Sequence, residues 1–173
     1  MTDTTNSRVA GVAFLVYIAT GIGSMALAGR PSVTAVLSLV MSLSALALGV
    51  TLYAITRQQD RDLAMLGLTC RVVEAVSDSQ VAAIFFAVAS TIFSWLLLRG
   101  GMIPVALARL GVTASVALVI ILPLQRAGLW SGATSWSASA TWLVWLPMLV
   151  FELMLAAWFI IKGVARPTPR HSS

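Results

Sequence analysis

Three charged side chains, Arg71, Glu74 and Glu152, lie deep inside candidate spans of the 173-residue chain. A charge at a bilayer centre costs about 2.5 to 3.5 kcal/mol on insertion scales, so such residues turn inward and find partners. Arg71 and Glu74 are an i, i+3 pair, which a helix places on one face. The planar guanidinium can also take a second carboxylate in bidentate fashion, and Glu152 is the candidate. Such a cluster has two uses. It can clasp two helices, because breaking a buried pair strands a charge. It can also form a proton or substrate site, since intramembrane carboxylates are common relay groups. One arginine against two acids leaves a carboxylate in excess.

The elements that carry these residues follow from composition. Hydrophobic residues make up 59% of the chain and charged residues only 10%, far below the roughly one quarter a soluble domain carries. So few charges cannot cover a globule in water. The reading is an all-α polytopic membrane helix bundle. A span needs about 20 apolar residues, and runs of that kind cover about 9–28, 33–56, 81–98, 103–124 and 140–161. The first lacks a convincing cleavage site before charge returns at Arg30 and is expected to be a retained span.

The stretch 62–77 is the shortest and the most charged of the candidates. It is only about 24 Å long as a helix and contains Arg71 and Glu74. Charge bias argues for it, since removing one span inverts every loop after it. With six spans and both termini cytoplasmic, the inside collects Arg8, Arg57, Arg61, Arg99, Arg109, Lys162, Arg166 and Arg170, and the outside keeps Arg30 and Arg126. With five, Arg99 and the polar tail 164–173 move outside and the bias disappears. Six spans are therefore expected. Counting from the cytoplasmic ends puts Arg71 about 13 Å, Glu152 about 15 Å and Glu74 about 18 Å into the bilayer. The three share one level, which predicts a clasp between spans three and six.

Other features carry less chemistry. Net charge is +5, but the basic residues stand at span ends rather than in a patch, so no nucleic-acid partner is expected. Cys70 is the lone cysteine and His171 the lone histidine, in the tail, which leaves no metal or cofactor site in view. No nucleophile with a base, phosphate loop or metal spacing is present, and no enzyme activity is expected. Trp130, Trp136, Trp142 and Trp145 gather at the outer end of the last span, with Trp95 and Trp158 near inner ends, as interfacial anchors do. The segment 129–139 reads as an interfacial anchor or a lid. Small residues at Gly11, Gly21 and Gly23, and at Ser38, Ser42, Ala45 and Gly49, suit close helix packing, within the chain or in a homodimer. Pro147 should kink the last span, and its freed carbonyl offers a hinge or ion site.

Four short motifs in order resemble the bacterial domain-of-unknown-function family numbered 4386 (DUF4386). They are Arg8-Val9-Ala10-Gly11, Cys70-Arg71-Val72-Val73-Glu74-Ala75, Arg99-Gly100-Gly101-Met102-Ile103-Pro104 and Phe151-Glu152-Leu153 with Trp158 to Gly163. The resemblance implies a six-span protein of the bacterial inner membrane whose biochemical role is not established, with Arg71, Glu74 and Glu152 on recurrent charged positions. That family often carries a histidine in span four, where Phe85 to Ser94 here has none. Two functions fit. One is a small transporter whose substrate contacts the Arg/Glu cluster. The other is a non-catalytic membrane partner or sensor in which the cluster is a structural clasp.

Overall fold

The computed structural model describes residues 3–129 and 139–164. They form six α-helices, with no strand among the described residues: α1 Asp3–Ala26, α2 Pro31–Thr56, α3 Arg61–Val76, α4 Ser79–Arg99, α5 Val105–Arg126 and α6 Ser139–Ile161. All but α3 are long and apolar enough to cross a membrane. The third helix exists, but at 16 residues it is the shortest. Helix α1 starts at Asp3, ahead of the apolar run that opens at Val9.

Local chemistry sets the boundaries. Asp60 and Asp78 cap α3 and α4, their carboxylates accepting from Leu63 N–H and from the Gln80 and Val81 N–H groups; such caps satisfy donors that a helix start leaves open. Pro31 opens α2, where a missing N–H costs nothing. Helix α4 ends at Gly100-Gly101. Gly101 adopts φ +60°, and Met102 N–H and Gly101 N–H return to Leu97 and Leu98 carbonyls. A side chain at Gly101 would disfavour that left-handed turn.

Each helix packs against the next, and α6 returns to α1, so the six close into a ring. Successive helices run in opposite directions. One end therefore carries the start of α1, the end of α6 and the α2–α3 and α4–α5 turns; we call it the terminal end. The other is the far end. Close packing around the ring rests on small residues: a Cβ on Gly11 would meet Ile160 and Ala156 of α6, and one on Gly49 would meet Arg71 of α3. These surfaces are used within the chain. Towards the terminal end the interior is filled by Phe14, Phe93, Phe159, Leu52, Leu97 and Leu155.

Helix α3 shows what kind of solvent the ring fits. Its buried face is Ala64, Gly67, Cys70, Arg71 and Glu74. Past the exposed Arg61 and Asp62 of its first turn, its outer face carries Met65, Leu66, Thr69, Val72 and Val76, the last 79% exposed. Beyond that first turn, charge inside and mostly hydrocarbon outside is the reverse of a helix facing water.

Candidate functional site

The site begins with Gly49, whose lack of a side chain lets α3 lie against α2; a Cβ there would stand 2.9 Å from Arg71 Cβ. That contact seats Arg71 in the middle of the ring, 1% exposed. Its Nη1 donates to both Glu74 oxygens, at 3.2 and 3.0 Å, and its Nη2 to Ser90 Oγ on α4 at 3.2 Å. The guanidinium carbon lies 5.0 Å from the centroid of the Phe86 ring and 6.0 Å from that of Tyr17, within the range of a cation–π contact. Tyr17 O–H donates to Glu74 Oε1 at 2.8 Å. One ion pair on α3 is thus tied to α4 through Ser90 and to α1 through Tyr17.

The three charged residues are all buried, as expected, but their pairing differs. Arg71 bridges Glu74 within its own helix, and among the described residues no ion pair joins Arg71 to Glu152. The reason is the ring. Helices α3 and α6 are not neighbours and face each other across the interior. A partner one turn away on the same helix is within reach whatever the neighbours do, and Ser90 takes the remaining Nη. The clasp therefore joins α3 to α4 and α1 rather than to α6. Glu152 is 4% exposed, and its Oε1 has no hydrogen-bond partner.

Glu152 and Glu74 line a partly open cavity of about 410 Å³. Its walls come from α1, α2, α3, α4 and α6, chiefly Tyr17, Met41, Phe86, Trp145 and Met148 around the two carboxylates. From Tyr17 to Met25 it extends roughly 12 Å along α1 towards the far end. The short α3 explains the space. It stops near Glu74, whereas the 24-residue α1 and the 26-residue α2 continue past it. On the terminal-end side of Arg71, by contrast, only about 10 Å³ is left between Phe14, Leu52, Phe93 and Leu155. The cavity is closed below by packed hydrocarbon.

Three of these residues were not singled out from the sequence as site residues. Tyr17 gave one signal, a phenol inside an apolar run, which needs a partner when buried. Ser90 gave none, since many hydroxyls here bond their own helix, as Thr51 does to Ala47 and Ser115 to Gly111. Trp145 was expected among interfacial anchors. It lines the cavity, its ring 5.9 Å from Phe86, which stacks in turn on Tyr17 at 5.9 Å. Trp130, Trp136 and the 129–139 lid or anchor lie outside the described residues, apart from the ends of that segment. Trp95 is exposed on α4, one turn before Arg99.

The Tyr17 bond is testable alone. Tyr17→Phe is expected to lower unfolding free energy in detergent by about 0.5 to 2 kcal/mol. A melting midpoint equal to the parent's would show that the hydroxyl contributes nothing.

No protein-family model, no curated protein and no solved structure matches this chain. Geometry alone has to carry the functional reading.

Proposed function

We propose that the chain is a six-span membrane protein that takes a small solute into the far-end cavity and passes it across the bilayer, with Glu152 as its principal contact. The observation behind this is the pairing of a partly open cavity with a buried carboxylate, Glu152, that is in no ion pair among the described residues and whose Oε1 has no hydrogen-bond partner. A purely structural clasp gives no reason to leave Glu152 unpaired, because an unmatched buried acid costs stability. The cluster divides by role. Arg71, Glu74, Ser90 and Tyr17 hold the ring together; Glu152 serves the solute.

Topology completes the proposal. The terminal end carries Arg8, Arg57, Arg61, Arg99, Arg109 and Lys162, and the far end Arg30 and Arg126. By the positive-inside rule the terminal end is cytoplasmic and the cavity faces outward. The inward-facing charges and outward-facing hydrocarbon of α3 support its counting as a sixth span despite its length. The packed layer beneath Arg71 then acts as the inner gate, and transport requires it to open. The reading as a non-catalytic partner or sensor has the Arg71–Glu74–Ser90 clasp in its favour, and it requires neither an open cavity nor a gate.

Cysteine accessibility in a Cys70→Ala background separates these. A membrane-impermeant thiol reagent added outside is expected to label Gln80→Cys and the cavity position Ser42→Cys. Gln58→Cys should react only from the cytoplasmic side, and Leu97→Cys slowly from that side as the gate opens. Labelling of Gln58 and Gln80 from the same face would remove the sixth span. An inert Ser42→Cys would leave the cluster a clasp and nothing more.

A further inference from the structure

We propose that the cavity selects an apolar organic cation, bound by exchange against a proton on Glu152. This deepens the transport reading and rests on its cavity. The count of charges comes first. Arg71 faces Glu74 at 3.0 Å and engages it and Ser90 through its two Nη groups, while its buried Nε has no hydrogen-bond partner. Glu152 has no cation of its own, so the buried set carries one acid in excess. The titratable groups that face Glu152 are Tyr17 from α1 and Arg71 and Glu74 from α3, and among the described residues α2, α4 and α5 add none to the cavity.

A carboxylate held in low dielectric without a partner is neutralised by whatever positive charge can reach it. In the empty cavity that charge is a proton. A ligand cation can take its place: the O–H bond of Glu152 breaks, the proton leaves to water, and the carboxylate pairs with the cation. A proton departs for each monovalent cation bound, and the net charge of the cavity is unchanged.

The walls define the rest of the ligand. Besides the two carboxylates and the hydroxyls of Ser24, Ser38 and Ser42 they are mainly aromatic and aliphatic, with Tyr17, Phe86 and Trp145 in one consecutive series of ring contacts. Aromatic faces attract cations through their quadrupole and favour ones whose charge is spread over carbon. A cavity of about 410 Å³ is in the usual range for a small organic ligand, about 300 to 1,000 Å³, and far larger than a bare metal ion needs. No Arg, Lys or His is among the lining residues to suit an anion, and the polar donors are a few hydroxyls. Ser24 Oγ, buried on the α1 wall without a partner, offers one hydrogen bond to a polar substituent.

The test uses the full chain in nanodiscs and three probes of related shape: tetraphenylphosphonium, tetraphenylborate and the neutral triphenylphosphine oxide. Equilibrium dialysis against protein-free discs is expected to give saturable binding of the phosphonium alone. Affinity should rise with pH, and in weakly buffered solution binding should release protons. Glu152→Gln should weaken binding by roughly tenfold or more and abolish proton release. Glu152→Asp, which keeps the charge, should retain part of both, and it carries the test if the glutamine variant fails to fold.

Two results overturn the proposal while leaving the cavity as a solute site. One is saturable binding of the borate or the neutral probe in preference to the phosphonium. The other is phosphonium binding that ignores Glu152→Gln and pH. If no probe saturates on a folded protein, the cavity reading falls with it.

Discussion

Arg71→Met is expected to destabilise the protein by about 3 to 5 kcal/mol, the largest effect of any single change to the cluster. The guanidinium is 1% exposed and gives Glu74 two of its three hydrogen bonds. Without it, Glu74 is a buried carboxylate answered only by the Tyr17 hydroxyl, and Ser90 loses its link to α3. The double variant Arg71→Met/Glu74→Gln should recover most of the loss, because the glutamine carbonyl still accepts from Tyr17 and no charge is left over. Thermal melting followed by size exclusion in detergent measures both. Exchanging charges between α3 and α6, as Arg71→Glu with Glu152→Arg, should not rescue folding, since it would set two carboxylates one turn apart on α3. Rescue by that swap would place the working ion pair between α3 and α6.

The second large effect is steric. A Cβ on Gly111 would lie 2.5 Å from the Phe151 ring and 2.7 Å from Ser94 Oγ. Helix α5 would have to withdraw from both α4 and α6. Gly111→Ala is expected to cost about 1 to 3 kcal/mol, and because Phe151 adjoins Glu152 it should weaken ligand binding as well. Trimming the ring in Gly111→Ala/Phe151→Leu should restore part of the stability. Gly29→Ala is the matched control: nothing lies within 4 Å of a Cβ there, and no change in melting is expected. An unaffected Gly111→Ala protein would mean that α5 packs less closely against Phe151 than described.

Much of this was legible in the chain itself. Long apolar runs closed by Arg57, Arg99 and Lys162, and the helix breaks at Gly100-Gly101 and Pro31, marked where helices lie, because helix formation in apolar runs is decided locally. Counting rise per residue brought Arg71, Glu74 and Glu152 to a common depth for the same reason, and all three are buried. The i, i+3 spacing already contained the Arg71–Glu74 pair. What spacing could not weigh was competition for the guanidinium. Glu152 was in range by depth, and depth is blind to position around the ring.

The charged trio was thus visible as a buried cluster from the sequence alone, since lipid-scale hydropathy and helical rise are properties of short segments. Its division into a clasp and a free acid was decided by tertiary structure. The ring sets α3 and α6 opposite rather than side by side, gives Arg71 to Glu74 and Ser90, and leaves Glu152 facing the space beyond the end of α3. Partner choice depends on which helices touch and how far each extends, and no window of sequence contains either.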